Sequence, residues 1–330
     1  MSENFTALQV NRNEDKTFTR RIVQRNSDDL PTGELLVRVQ YSSLNYKDAL
    51  SASGHPGVTR NFPHTPGIDA AGLVVSCSDG RFQPGDQVIV TSYDLGMETD
   101  GGFGQLIRVP SAWAVALPDG LSLKQSMIFG TAGLTAALSV TALVDSGLTP
   151  DQGPVLVTGA TGGVGSLAVT VLTRAGFQVT AATGKNSETD YLKCLGATNV
   201  ISREEVTANS ERPMLKPLWS GVVDCVGGTM LEAAIKACRY DGVVTCCGLV
   251  GSADLNLNVF PFILRGVRLI GIDSAECPMP RRLHAWQYLA ENKDAKLLEQ
   301  LSEEISLEGL EEKIQAMLKG QVKRRVVVRL

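Results

Sequence analysis

The rhythm of apolar and polar positions changes near Val155. From there to Ile272, apolar runs at 155–158, 179–183, 199–202, 221–226, 243–247 and 267–272 alternate with stretches of helical period at 164–175, 187–195 and 229–238. Near-continuous apolar strands separated by helices predict a parallel sheet covered on both faces. The polar stretch 203–217 breaks the pattern and reads as a surface loop. Before Val155 the spacing is shorter: strand-like runs at 35–39, 72–76 and 87–91 lie between turn clusters such as Pro66-Gly67 and Pro84-Gly85-Asp86. After Ile272 come helical stretches at 281–292 and 310–319, then a strand-like ending at 323–330. The chain therefore starts in a β-rich domain, crosses into an α/β domain and returns.

Charge and cysteine usage narrow the function class. Lys and Arg number 31 against 35 Asp and Glu, a net charge of −4, so there is no basic footprint for nucleic acid. The seven cysteines form no C-x-x-C pair and read as reduced thiols in a cytoplasmic protein. The N-terminus lacks the apolar core of a signal peptide. Twenty uncharged residues separate Lys124 from Asp145, a membrane-spanning length. Gln125, Ser126, Gly130, Thr131, Gly133, Thr135, Ser139 and Thr141 interrupt them, so a buried helix of a protein that does not enter the membrane is expected.

The sharpest chemistry follows the first α/β strand, where Gly159-Ala160-Thr161-Gly162-Gly163-Val164-Gly165 leads straight into a helix. Ala160 to Gly165 fits A-x-G-x-x-G, a variant of the dinucleotide fingerprint. Early glycines permit a tight turn, Gly162 or Gly163 lets backbone N–H groups reach a pyrophosphate, and Gly165 lets helix and strand pack closely. A plain strand-turn-helix is the competing reading. An NAD site would end its second strand on a carboxylate for the ribose 2′-OH. Here the residues are Thr183-Gly184-Lys185, and Arg203 ends the next strand. The missing acid and the two cations favour NADP, although Lys185 alone would read as a solvated surface residue.

Longer motifs span almost the whole chain: SSLNYKDAL at 42–50, NFPHTPGIDAAG at 61–72, PGDQVIV at 84–90, GGFGQLIRVP at 101–110, GTAGLTA at 130–136 and VTGATGGVGS at 157–166. In this order they resemble the medium-chain dehydrogenase/reductase family, in its zinc-free quinone-oxidoreductase branch. SSLNYKDAL, MIFGTAGLTA, PFILRGVRLIGIDS and the segment 281–287 are similar to the acrylyl-CoA reductase group, also called YhdH-type. The resemblance implies an α/β protein with a GroES-like β domain (1–126 and 275–330) plus an inserted Rossmann doubly wound parallel-sheet domain (127–274).

The resemblance also implies a site. Zinc-dependent relatives carry Cys where this chain has Asn45, and Gly-His-Glu where it has Gly67-Ile68-Asp69. They often add a four-cysteine lobe, whereas 93–102 contains no cysteine. His55, His64 and His284 cannot rebuild a three-ligand zinc site without a nearby cysteine, so no metal is expected. NADP contacts are implied at Tyr46, Thr161, Gly162, Gly163, Val164, Thr183, Gly184, Lys185, Arg203, Leu249, Ile263, Ser274 and Arg325. Tyr46 is the candidate for positioning the nicotinamide or relaying a proton, with Asn45 and Asp48 in support. The alternative is that LNYKD shapes a turn, with Lys47 and Asp48 as a local ion pair. The expected reaction is NADPH-dependent reduction of an α,β-unsaturated acyl-CoA, with Arg60, Arg265 and Arg281 as candidates for CoA phosphates. Quinone or alkenal reduction is the alternative, and a non-catalytic NADPH-binding protein is a further one. A homodimer through 267–272 is implied.

Overall fold

The computed structural model describes residues 2–330, which form two compact units. One runs to Thr131 and resumes over Ala275–Leu283 and Asp294–Leu330; the other holds Ala132–Ser274 and His284–Lys293.

The first unit opens with β1 (Asn4–Arg12) and β2 (Phe18–Asn26), an antiparallel hairpin. The sequence reading missed it because β2 carries three arginines and buries none of its residues. Then follow β3 (Leu35–Leu44), the short helix α1 (Tyr46–Ser51), β4 (Asp69–Cys77), β5 (Gln87–Thr91), β6 (Leu106–Val109) and β7 (Ala114–Ala116). Val37 and Val39 of β3 pack with Val74, Val88, Val90 and Ile107 in one core.

The next helix, α2 (Leu123–Asp145), bends at Gly130, whose φ of 53° and ψ of −156° suit glycine alone. Its most apolar 18-residue stretch is 83% buried inside the protein, which agrees with a core helix.

In the second unit, β8 (Val155–Val157), α3 (Gly163–Arg174), β9 (Val179–Thr183), α4 (Thr189–Cys194), β10 (Asn199–Ser202), α5 (Arg203–Thr207), β11 (Trp219–Asp224), α6 (Gly228–Lys236), β12 (Cys238–Cys246), α7 (Phe260–Arg265) and β13 (Arg268–Gly271) follow in turn. The strands make a wholly parallel sheet in the order β10-β9-β8-β11-β12-β13. Every residue of β8, β9 and β11 is buried, as expected for strands covered on both faces. The chain winds outward from β8 to β10 and then crosses to β11. The point between β8 and β11 is therefore where strand order reverses and where such sheets bind ligands.

One expectation fails here. The stretch 203–217 is not loop throughout, because it opens with α5. Ser202 accepts from the Glu205 N–H (3.1 Å) and Glu205 accepts from the Ser202 N–H (3.0 Å), a capping box that the sequence Ser-Arg-Glu-Glu carries openly.

The chain returns through α8 (Met279–Asn292), α9 (Ala295–Gln300), β14 (Ser302–Ser306), α10 (Leu310–Leu318) and β15 (Arg325–Arg329). β15 pairs with β3, extending the first unit's sheet to the order β14-β15-β3-β4-β5-β7, with β6 also on β3. Leu310 and Ile314 of α10 join Leu44, Ala49, Val326 and Val328 in a second core. Arg282, fully buried, fastens the returning segment: its guanidinium lies 4.2 Å from the Tyr93 ring and donates to the Thr91 and Ala275 carbonyls.

Candidate functional site

The glycine-rich turn leaves β8 at the point where strand order reverses. Gly159 has φ +58°, and a Cβ there would stand 3.0 Å from Val226 Cγ2. The Ala160 N–H donates to Ala182 O (3.1 Å) and the Gly162 N–H to Gly159 O (2.9 Å), which closes the turn. Gly162 caps α3; Gly162 and Gly163 are exposed, and Thr161 and Val164 half-buried. A Cβ on Gly165 would lie 2.8 Å from Ala160 Cα, so the helix rests directly on the turn. The first N–H groups of α3 have no partner within the helix, an arrangement that binds phosphate.

Beside the turn, β9 ends on Thr183, whose hydroxyl lies 3.4 Å from that of Thr161 and accepts the Lys185 N–H (3.0 Å). Arg203, the first residue of α5, folds back over Gly184. A Cβ on Gly184 would meet Arg203 Cζ at 2.8 Å and Nε at 3.0 Å. Thr161, Thr183, Gly184 and Arg203 are thus brought together, with Lys185 adjoining. Leu249 and Ile263 are 69% and 68% exposed, on the loop after β12 and on α7. Ser274 accepts a hydrogen bond from Thr135 (2.8 Å).

A group that sequence reading did not find supports the turn from the β11 side. Asp224, fully buried, accepts from the Thr158 hydroxyl (2.6 Å) and from the Gly227 (2.8 Å) and Val226 (3.3 Å) N–H groups. Burial raises its carboxyl pKa, and these hydrogen bonds oppose the shift. No spacing in the chain signals the Thr158–Asp224 pair, because it forms only when β8 and β11 become neighbours.

In the first unit a polar cluster surrounds Asp69, which is fully buried. Its Oδ2 accepts from Ser43 Oγ (2.6 Å) and Asn45 Nδ2 (2.7 Å), and its Oδ1 from the Thr131 hydroxyl (2.6 Å). The Thr131 N–H lies 3.0 Å from both oxygens. The bend at Gly130 aims that N–H, and a side chain at Gly130 would lie 2.6 Å from Ser43 Oγ. Arg325 completes the cluster, donating to Ser43 Oγ (3.2 Å), Asn45 Oδ1 (3.3 Å), Ile128 O (3.0 Å) and Leu44 O (3.5 Å). Arg325 is only 5% exposed. Its guanidinium is turned onto these four oxygens.

Asn45 is the N-cap of α1, and its own N–H donates to Asp48 Oδ2 (2.7 Å). Asp48 Oδ1 accepts from the Ile68 N–H (2.8 Å). Asp48 is fully buried and its two oxygens are taken by these N–H groups, so the alternative of a local ion pair with Lys47 does not describe it. Burial, with the nearby Asp69 charge second, pushes its pKa up to about 7 despite the two amides. Tyr46, the first residue of α1, is 53% exposed.

The donor set does not suit zinc. Where zinc relatives have a thiolate, Asn45 spends its amide on Asp69 and Arg325, and where they have an imidazole, Ile68 is buried. Among the described residues, no three His, Cys, Asp or Glu side chains are grouped to hold a metal. Of the arginines expected for CoA phosphates, Arg60 and Arg281 are exposed. Arg265 is not available in that way: it donates to the carbonyls of Lys236, Cys238 and Leu215 (2.7–3.0 Å), where it ties α7 to the end of α6.

Residues 31–119 match the family model described as alcohol dehydrogenase GroES-like domain, and residues 163–290 the model described as zinc-binding dehydrogenase. Acrylyl-CoA reductase AcuI of Ruegeria pomeroyi is 45% identical over 98% of both chains. The yhdH oxidoreductase of Salmonella enterica, solved in complex with NADP, superposes with a TM-score of 0.95 at 41% identity, covering 100% of each chain. Protein yhfP of Bacillus subtilis, solved with NAD bound, gives a TM-score of 0.97 at 44% identity over 99% of this chain and 100% of its own.

Proposed function

Because the chain belongs to the medium-chain dehydrogenase/reductase family, in the branch of the acrylyl-CoA reductases and quinone oxidoreductases, we propose that it reduces the activated C=C bond of an α,β-unsaturated acyl-CoA with NADPH. Acrylyl-CoA, giving propionyl-CoA, is the expected substrate. One observation carries the cofactor assignment: the Arg203 guanidinium lies over an acid-free Thr183-Gly184-Lys185. A 2′-phosphate would meet Lys185 and Arg203 there, at a strand end that carries no carboxylate.

The turn residues Thr161, Gly162, Gly163 and Val164 would hold the pyrophosphate, with Leu249, Ile263 and Ser274 as further contacts. When bound, NADPH supplies the hydride. The β-carbon of the acceptor receives it, and the α-carbon receives a proton. Because Asn45 and Ile68 occupy the metal-ligand positions, a bare carbonyl would lack Lewis-acid assistance. A C=C bond conjugated to a thioester needs less, since hydrogen bonds can stabilise its developing enolate. Tyr46, exposed at the start of α1, is our candidate for positioning the nicotinamide or delivering the proton. Asn45 acts through it, as the cap that anchors α1 to Asp69 and Arg325. Arg60 and Arg281 are the exposed cations left to meet CoA phosphates.

All seven cysteines are unbridged, which suits a cytoplasmic enzyme. We infer a homodimer through β13, an edge strand whose Leu269 is exposed, as is Leu264 of the preceding α7.

The test is to mix the protein with NADPH and acrylyl-CoA, crotonyl-CoA or a benzoquinone and to follow the near-ultraviolet absorbance of NADPH. Fastest turnover of acrylyl-CoA is expected. A higher kcat/KM for the benzoquinone transfers the assignment to quinone reduction. Inertness toward every acceptor leaves a non-catalytic NADPH-binding protein.

A further inference from the structure

Two thiols meet at the carboxyl end of the parallel sheet, beside the dinucleotide turn. Asp224 of β11 is in register with Cys246 of β12, so Cys225 and Cys247 are the next pair along the two strands. The Cys247 N–H donates to Asp224 O (3.0 Å), which carries the ladder to this point. Neighbouring strands lie about 4.8 Å apart, within the roughly 4.4–6.8 Å Cα span that a disulfide bridges. The Cys247 and Cys225 sulfurs lie 3.8 Å apart, the Cys247 thiol also lies 3.2 Å from Asp224 O, and both residues are half-buried.

We propose that Cys225 and Cys247 form an oxidisable dithiol, closed by hydroperoxides to a disulfide that weakens cofactor binding; this rests on reading the adjoining turn as the NADPH cradle. As a thiolate, Cys247 attacks the peroxide O–O bond, becomes a sulfenic acid and releases an alcohol after protonation. The Cys225 sulfur then attacks the sulfenic sulfur and loses its proton, and the hydroxyl leaves as water. In sum, two thiols and one hydroperoxide give one disulfide, one alcohol and one water. Two electrons pass from the sulfurs to the O–O bond.

The order of attack follows from the surroundings. The hydrogen bond with Cys247, and burial after it, push the Cys225 thiol well up, which suits Cys225 to the second step. The consequence for the cofactor follows from packing. A Cβ on Gly159 would lie 3.6 Å from Cys225 Cβ, and one on Gly248 would lie 2.9 Å from Cys225 Cα. Drawing the two sulfurs together from 3.8 Å therefore acts on a residue whose Cβ faces Gly159 on one side and whose main chain packs on Gly248, next to Leu249, on the other.

The experiment uses the full chain carrying Cys194→Ser, which removes the exposed thiol. Treatment with tert-butyl hydroperoxide should remove two hydrogens from the intact mass and yield a peptide linking Cys225 to Cys247. The NADP⁺ Kd should rise about tenfold, equivalent to about 1.4 kcal/mol, and return on adding dithiothreitol. A further Cys247→Ala change should abolish both effects; Cys225→Ala serves the same purpose if that variant does not fold. Oxidation confined to Cys77 or Cys246 overturns the proposal, as does a linked protein whose Kd stays within about twofold of the reduced form. Failure of the NADPH reading is distinguishable: the linked peptide would form in a protein that binds no NADP⁺ even when reduced.

Discussion

Arg203 lies against Gly184 so closely that even a methyl group there would overlap its guanidinium. The glycine at the end of β9 therefore does more than shape a turn, because it leaves the space that Arg203 occupies. Gly184→Ala should displace Arg203 and raise KM for NADPH by about tenfold, while KM for NADH changes by less than about twofold. Steady-state kinetics with both cofactors check this. An equal rise for the two would mean that the alanine distorts the turn as a whole.

Tyr46→Phe separates the hydroxyl from the ring. If the hydroxyl delivers the proton, kcat falls at least about tenfold, in the range general-acid catalysis usually contributes, and the NADPH Kd hardly moves. A variant with full kcat removes the proton-donor assignment and leaves Tyr46 as a packing surface.

Asp48 should make stability depend on pH in an unusual direction. Its carboxyl pKa rises from 3.8 to about 7 on folding, so the native state holds its proton more tightly than the unfolded chain. The associated stability is complete below pH 3.8 and is lost as pH climbs toward about 7. Asp48→Asn does not titrate. The urea-unfolding free energy of the wild type minus that of Asp48→Asn should therefore fall by about 2–3 kcal/mol between pH 5 and 8. A difference that stays flat, or rises, contradicts the shift.

Arg325→Met should be costly because it strips donors from buried oxygens of Ile128, Leu44, Asn45 and Ser43. A loss of about 3 kcal/mol in denaturant unfolding is expected. NADP⁺ binding by the folded fraction should persist, which a direct cofactor contact would not allow. Isothermal titration at a temperature where the variant is folded decides between them.

How legible all this was depended on distance along the chain. The turn from Gly159 to Gly165 and the acid-free Thr183-Gly184-Lys185 were readable because their chemistry is local: each glycine serves a bend or a contact within a few residues. The capping box at Ser202 was equally local and was overlooked among polar neighbours. The Asp69 cluster was out of reach. It gathers Ser43, Asn45, Thr131 and Arg325 from positions up to 282 residues apart, and only the sheet pairing of β3, β4 and β15 unites them. Arg265 misled for the same reason, since a half-buried arginine that ties two helices together looks in sequence like any surface cation.

The Asp69 cluster also limits how this scaffold could be re-engineered. Restoring the thiolate and imidazole with Asn45→Cys and Ile68→His would put a dication beside a guanidinium that is already fixed in place. The neighbouring carboxylate would still be occupied by the Ser43 and Thr131 donors. Conversion to a metalloenzyme thus requires Arg325 to be replaced first, at the opposite end of the chain from the ligands.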